Sequence, residues 1–168
     1  MSDQLRNINV LLVDDHAFMR SIWRAILIGL GVTRVREAAD AADAFQLMQD
    51  AEFDLVIVDY HLADLNGGEF TRLVRQSTQP TVRFVPLLAC TADTRPSILR
   101  ELINAGVDEI LSKPISSQVV WRKLHTIVEN RRPFLSIPGY AGPDRRRQNR
   151  INYRGPMRRA SDTKSDCA

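Results

Sequence analysis

Cysteine and aromatic residues are scarce in this sequence, and it has no long apolar run. Two cysteines, Cys90 and Cys167, are too few for the disulfide framework that holds many small secreted domains together. No segment approaches the roughly 18 apolar residues of a membrane-spanning helix. The polar first seven residues do not resemble a signal peptide. We therefore expect a cytoplasmic protein without a membrane span.

Charge divides the chain into two unequal parts. Residues 1–130 carry 13 basic and 17 acidic side chains, a net charge of −4, whereas residues 131–168 carry 10 basic and 3 acidic ones, a net charge of +7. The second part also has four prolines, three glycines and few aliphatic residues, a composition that is typical of disorder. We expect one folded domain over residues 1–130 and a disordered basic tail over 131–168.

Strand and helix patterns alternate along the first part. Short apolar runs typical of strands buried on both faces occupy 8–13, 55–58, 84–89 and 107–111, and a further strand is expected at 33–37. Apolar residues spaced three and four apart predict a helix after each strand. Such alternation is typical of a parallel sheet with helices on both faces. The sequence thus predicts an α/β doubly wound five-stranded parallel sheet with five helices.

Polar side chains follow four of these strands. Asp14 and Asp15 come after the first strand, Asp59 after the third, Thr91 after the fourth and Lys113 after the fifth. Ligands of open parallel sheets bind beyond the carboxyl ends of the strands. Three carboxylates gathered there repel one another unless a cation compensates them, and hard oxygen ligands favour Mg²⁺. With an ammonium group and a hydroxyl added, this set suits phosphoryl transfer.

The motifs Asp14-Asp15, Asp59, Thr91-Ala92 and Lys113-Pro114 resemble those of receiver domains in bacterial two-component response regulators. The resemblance covers roughly residues 6–130 and implies a flavodoxin-like fold. It implies that Asp59 accepts a phosphoryl group from a histidine kinase or histidine phosphotransfer protein. It also implies a cis peptide bond between Lys113 and Pro114.

The resemblance further assigns roles to individual residues. Asp15, Asp59 and the backbone carbonyl of His61 would bind Mg²⁺, or Mn²⁺ in its place, and Asp14 would contribute to the metal site mostly through water. Lys113 would pair with the phosphoryl group. Thr91, followed by Ala92, would move toward that group and carry the signal to the surface around the fourth helix and fifth strand. The protein would then be a phosphoacceptor switch acting on an unidentified downstream protein, and an enzyme only toward its own phosphate.

Two positions depart from the family pattern. Leu62-Ala63 stand where many relatives have Met-Pro, and Ile110 stands where many have Tyr or Phe. The aromatic side chain at that second position normally swings inward as the threonine moves. Isoleucine at position 110 therefore argues against the aromatic version of the switch.

A short motif occurs twice near the C-terminus. Tyr-x-Gly-Pro-x-Arg-Arg spans 140–146 and again 153–159, which singles out six side chains: Tyr140, Arg145, Arg146, Tyr153, Arg158 and Arg159. The segment could be a solvated basic tail, or it could dock on an acidic protein, a nucleic acid or a membrane surface. We therefore keep nucleic-acid binding through the tail as an alternative function. A magnesium-dependent phosphatase is disfavoured, because its two aspartates would stand two residues apart after the first strand.

Overall fold

A computed structural model of the chain describes residues 3–146 and shows a five-stranded parallel sheet with the order β2-β1-β3-β4-β5. The strands are β1 (Asn9–Val13), β2 (Arg34–Ala38), β3 (Leu55–Asp59), β4 (Leu87–Thr91) and β5 (Glu109–Ser112). Every residue of β3 and β4 is buried. Continuous burial explains why these strands read as unbroken apolar runs, since helices cover both faces of the sheet.

Helices connect the strands, and several begin at capping residues that the sequence displays. They are α1 (Ala17–Gly29), α2 (Ala41–Asp50), α3 (Gly67–Gln76), α4 (Pro80–Arg83), α5 (Pro96–Ala105) and α6 (Ser117–Glu129), preceded by a 3₁₀ helix at Asp3–Asn7. Asp40 caps α2 by accepting the backbone N–H of Asp43 at 2.8 Å. Asn66 and Glu69 form a capping box at α3. Within residues 3–146, no helix is long and apolar enough to cross a membrane.

Alternate residues of each strand enter two separate cores. One face of the sheet packs against α2, α3 and α5 around Leu11, Val56 and Leu87. The other face packs against α1 and α6 around Leu12, Ile57 and Leu88. This doubly covered sheet is the predicted fold, and its carboxyl edge is left open to hold polar side chains.

The described residues contain six helices instead of the five predicted. The additional one, α4, is a single turn that begins at Pro80, where proline at the first helical position is favourable because it needs no hydrogen-bond donor there. This turn delays the fourth strand, which begins at Leu87 and not at residue 84 as predicted. Thr91 consequently becomes the last residue of that strand.

The prediction of disorder from residue 131 onward is wrong for residues 131–146. Two short strands, β6 (Phe134–Ile137) and β7 (Tyr140–Pro143), form an antiparallel hairpin. Tyr140 is buried and donates its hydroxyl to the carbonyl of Pro143 at 2.6 Å. The hairpin is stable without an apolar core of its own because it packs against α3 and α5 of the domain. The second motif copy, with Tyr153, Arg158 and Arg159, lies outside the described residues.

A close backbone contact seats this hairpin on the domain. Gly106 ends α5 in the left-handed conformation, with φ of 101°. A Cβ atom at Gly142 would lie 2.6 Å from the Cα of Gly106, so only glycine fits at position 142. The Gly-Pro pair of the first motif copy is therefore a packing element. Arg145 of that copy stacks over the Tyr140 ring at 4.3 Å and donates to Asn104 at 2.7 Å.

A buried arginine joins the hairpin to the amino ends of β4 and β5. Arg75 donates to the carboxylate of Asp108 at 2.8 Å and to the carbonyls of Gly106 at 3.0 Å and Val85 at 2.7 Å. Burial lowers the pKa of its guanidinium to about 10, so the group remains charged at neutral pH. Arg131 adds a second donor to Asp108 at 3.1 Å. The carboxylate is thus fully paired at the edge opposite the polar strand ends.

We predict that Arg75→Met lowers the free energy of unfolding by about 3–5 kcal/mol, because the Asp108 carboxylate would stay buried with its main partner removed. Urea denaturation at pH 7 measures this change. Arg24→Met is the control, since Arg24 is exposed and lies 3.5 Å from Glu37, and its loss should cost at most about 1 kcal/mol. Equal losses in the two variants would contradict a special role for the buried pair.

Candidate active site

The polar side chains predicted to meet at the carboxyl edge of the sheet do so. Asp14 directly follows β1 and Asp59 ends β3, while Thr91 ends β4 and Lys113 follows β5. The backbone N–H of Asp14 donates to the carbonyl of Ala38 at 3.2 Å, which continues the strand pairing one residue further. Parallel register alone thus brings residues from four strands into one site.

Asp14 is the most deeply buried acid of this site, with 1% of its surface exposed. Its Oδ1 atom accepts the backbone N–H of His16 at 2.9 Å, while its Oδ2 atom has no hydrogen-bond partner. Burial raises the pKa of this carboxyl group; the bond from His16 opposes the increase, and the nearby charge of Asp59 adds to it. A buried carboxylate oxygen without a donor is suited to bind a cation.

Asp15 and His16 extend the acidic group toward solvent. One possible ligand atom from each of Asp14, Asp15 and His16 lies within 4.8 Å of the others. The imidazole Nδ1 of His16 is 2.6 Å from Asp15 Oδ1 and 3.7 Å from Asp14 Oδ1. Because the acids supply hard oxygen ligands, this group fits Mg²⁺ or a similar ion better than a soft metal.

Asp59 and Lys113 form an ion pair at the centre of the edge. Lys113 Nζ lies 2.8 Å from Asp59 Oδ1, and the Asp59 side chain is only 5% exposed. Burial by itself lowers the pKa of Lys113, but the hydrogen bond and the charge of Asp59 outweigh it, so the pKa is raised overall. The lysine is therefore a permanent ammonium group beside the carboxylate. The predicted cis bond between Lys113 and Pro114 is present.

Thr91 points its hydroxyl at the following loop and is bonded there. Its Oγ1 accepts the backbone N–H of Asp93 at 2.9 Å and is 3.2 Å from the carbonyl of the same residue. Asp93 in turn accepts the backbone N–H of Arg95, the residue immediately before α5. Ala92 lies exposed between them. The hydroxyl is thus linked to the start of α5 in this conformation.

The remaining predicted positions surround this centre. His61 is exposed in the loop after β3 and forms an isolated backbone bridge with Asn66. Leu62 is partly buried and packs on the core, so the departure from Met-Pro does not detach the loop. Ile110 is also partly buried against that core. Its side chain is aliphatic and has no polar tip.

Two contacts near the site were missed by sequence reasoning. Tyr60, the residue after Asp59, is buried and donates its hydroxyl to Glu101 on α5 at 2.9 Å. Gly67 approaches the strand so closely that a Cβ atom there would lie 2.8 Å from the carbonyl oxygen of Asp59. Tyr60 and Glu101 are separated by 41 residues, and no local pattern pairs residues at that distance.

Comparison with known proteins agrees with this geometry. The family model of the response regulator receiver domain matches residues 10–125. The chain is 31% identical over 120 residues to the chemotaxis protein CheY of Pseudomonas aeruginosa, which covers 71% of this chain and 95% of CheY. CheY4 of Vibrio cholerae superposes with a TM-score of 0.65 at 31% identity, covering 71% of this chain and 98% of that one.

A third relative was solved with a metal. The receiver domain of the sensor histidine kinase PA1611 from Pseudomonas aeruginosa, with a magnesium ion coordinated in its active-site cleft, superposes with a TM-score of 0.65. The two are 29% identical, and the match covers 72% of this chain and 97% of that domain. The chain belongs to the response regulator receiver domain family of two-component systems. Within that family it resembles the single-domain chemotaxis regulators of the CheY type.

We predict that Gly67→Ala costs about 1–3 kcal/mol of unfolding free energy, since its Cβ would press on the backbone of Asp59 and Tyr60 at 2.8 Å and 3.0 Å. Thermal or urea denaturation measures the loss. Gly29→Ala is the matched control, because no atom lies within 4 Å of a Cβ built there. A neutral Gly67→Ala would show that the loop retreats freely from the strand.

Proposed function

We propose that Asp59 is the phosphoacceptor of this receiver and that its phosphorylation changes the contacts of the domain with other proteins. The observation that carries the proposal is the ion pair of buried Asp59 with partly buried Lys113, at 2.8 Å, beside the carboxylate of Asp14. A nucleophilic carboxylate and a fixed ammonium group next to a cation site are what phosphoryl transfer to aspartate requires. The domain is then a switch that acts on its own phosphate and on no other substrate.

The transfer step uses groups that are already in place. An oxygen of Asp59 attacks the phosphorus of a phosphohistidine on a histidine kinase or phosphotransfer protein. The P–N bond breaks, its electron pair returns to the imidazole nitrogen, and an acyl phosphate forms on Asp59. The Lys113 ammonium offsets negative charge on the phosphoryl oxygens. Hydrolysis of the acyl phosphate by water would restore the carboxylate.

The site fits a divalent cation, held by Asp14, Asp15, Asp59 and the backbone carbonyl of His61. When bound, Mg²⁺, or Mn²⁺ in its place, would supply positive charge that offsets the repulsion between the carboxylates and the phosphoryl group. Support comes from the unpartnered Oδ2 atom of buried Asp14. The magnesium ion in the PA1611 receiver domain supports the same assignment.

Thr91 is the residue that would report the phosphate. In the conformation described, its hydroxyl donates its single hydrogen to the carbonyl oxygen of Asp93 at 3.2 Å. Donating to a phosphoryl oxygen requires Thr91 to leave that bond, which frees the loop that begins α5. Phosphorylation would thereby shift the population between two conformations, as ligands do in other switches. The reader of that shift would be a downstream protein in the cytoplasm.

Nucleic-acid binding through the C-terminal motifs gains no support. In the first copy, Tyr140 is buried and Arg145 is engaged with Asn104 and the Tyr140 ring. This copy is thus part of the fold and not a linear ligand for an acidic polymer. The second copy lies outside the described residues.

We predict that wild-type protein gains one phosphate on incubation with acetyl phosphate and Mg²⁺, and that Asp59→Asn gains none. An amide is not a nucleophile for this transfer, while the similar shape of asparagine preserves the fold. Intact-protein mass spectrometry checks the outcome, with EDTA as the metal-free arm. Asp50→Asn, which removes an exposed carboxylate on α2, should label like wild type. Normal labelling of Asp59→Asn would refute the site assignment.

A second prediction concerns Lys113. Lys113→Ala should retain Mg²⁺ binding, because no proposed metal ligand is removed, but phosphorylation should no longer change the amide hydrogen exchange of α5. Lys123→Ala is a closely matched control, since its Nζ lies 2.7 Å from Glu109 with 26% side-chain exposure, against 23% for Lys113. A wild-type exchange response in Lys113→Ala would contradict its role in coupling.

A further inference from the structure

Helix α5 is attached to the phosphoacceptor edge at two separate points. The first is the loop at its start, where Thr91 and Asp93 exchange hydrogen bonds. The second is in the middle of the helix, where Glu101 accepts the hydroxyl of Tyr60 at 2.9 Å. The first attachment involves the expected switch residue, whereas the second involves no residue yet given a role.

Tyr60 is held rigidly next to Asp59. Its backbone N–H donates to the carbonyl of Cys90 on β4 at 2.7 Å, and its carbonyl accepts the N–H of Gly67 on α3 at 2.8 Å. The side chain is 6% exposed. Because backbone and ring are both confined, a shift of the strand end at Asp59 is passed to the phenolic hydroxyl and not absorbed by side-chain rotation.

The space around Glu101 is shaped for this contact. A Cβ atom at Gly68 would lie 2.8 Å from Glu101 Oε1, so the glycine leaves room for the carboxylate between α3 and α5. Arg72 on α3 lies 3.9 Å from the same oxygen and balances its charge. The other oxygen, Oε2, is directed to Tyr60. The carboxylate thus links α3, α5 and the residue after Asp59.

Position 110 offers no comparable contact. Ile110 on β5 is aliphatic and packs against the core that also receives Ile98 of α5. It has no hydroxyl with which to hold a helix in one of two places. Tyr60 is an aromatic residue with a polar tip that lies beside Asp59 and reaches α5 through a directional bond.

We propose that Tyr60 and Glu101 are positioning residues that couple the state of Asp59 to the position of α5. Ile110 does not serve this part, and Thr91 does not serve it alone. This coupling rests on the proposed function of Asp59 as phosphoacceptor. The position of the end of β3 at Asp59 determines how well the Tyr60 hydroxyl reaches Glu101. The hydrogen bond between them therefore stabilises α5 to a different extent in the two states of the switch. Loss of the hydroxyl removes that difference without removing any group of the transfer site.

The test compares amide hydrogen exchange of residues 96–105 in the full chain with and without acetyl phosphate and Mg²⁺. Labelling of each sample is followed by mass spectrometry. Tyr60→Phe should take up phosphate at a rate within about twofold of wild type, because the reacting groups are unchanged. Its phosphorylation-dependent change in α5 exchange should fall to less than half of the wild-type change.

Two further variants and a control separate coupling from packing. Glu101→Gln should retain the wild-type response, because its amide oxygen accepts the same phenolic hydrogen bond, whereas Glu101→Ala should lose it as Tyr60→Phe does. Tyr140→Phe removes an equally buried hydroxyl bond, to Pro143, in the hairpin, and should respond as wild type. A merely structural role would change basal exchange and leave the response to phosphate intact.

The outcomes distinguish the two proposals. Normal labelling of Tyr60→Phe with a full α5 response overturns the coupling alone, and so does a labelled wild-type chain whose α5 does not respond. A wild-type chain that takes up no phosphate overturns the proposed function of Asp59 and the coupling with it. Reduced response in Tyr60→Phe and Glu101→Ala, retained in Glu101→Gln, supports the coupling.

Discussion

Two buried carboxylates, Asp14 and Asp59, share one edge of the sheet with the ammonium group of Lys113. Removing like charges from water is costly unless an opposite charge lies close. Lys113 compensates Asp59 at 2.8 Å, which leaves Asp14 with a raised pKa and an unpartnered oxygen. The divalent cation of the proposed function would offset this excess of negative charge. The remaining structure serves to hold these charges in place.

That requirement explains how the two ends of the sheet differ. At the amino ends of β4 and β5, Arg75 and Arg131 both pair with Asp108, and Phe134 of the hairpin lies against the guanidinium of Arg75. At the carboxyl ends of the strands, the Asp14 carboxylate has one oxygen without a partner, and the Thr91 hydroxyl bonds only to nearby Asp93. A fully satisfied buried network rigidifies a structure, while an incompletely satisfied one responds to a ligand. Stability and switching are therefore located at opposite edges of the sheet.

Helix α5 contacts both ends of the sheet. Its last turn ends at Gly106, which contacts the hairpin at Gly142 and the guanidinium of Arg75. Its start and middle contact the site through Asp93 and Glu101. The end of α5 at Gly106 is therefore held by the hairpin and by Arg75, while its start and middle contact the proposed site. The hairpin at 134–143 thus contacts the helix that the proposed switch would affect.

Local chemistry determined much of this protein. Apolar runs of strand length, helical spacing and the caps at Asp40 and Asn66 act within a few residues, so the order of elements follows from sequence alone. The strand-end positions of Asp14, Asp59, Thr91 and Lys113 are equally local, and parallel topology then brings them together. The helical turn at Pro80 was not predicted, because four residues are too few to display a helical spacing.

Tertiary structure decided what depends on distant partners. Residues 131–146 have too few apolar side chains to fold alone, yet they form a hairpin because the domain supplies the surface and the Asp108 carboxylate. Arg75 is buried only because Asp108, 33 residues away, neutralises it. The bond between Tyr60 and Glu101 likewise exists only once β3 and α5 are packed together. Composition and periodicity report the preferences of a segment, whereas these contacts depend on which segments the folded sheet makes neighbours.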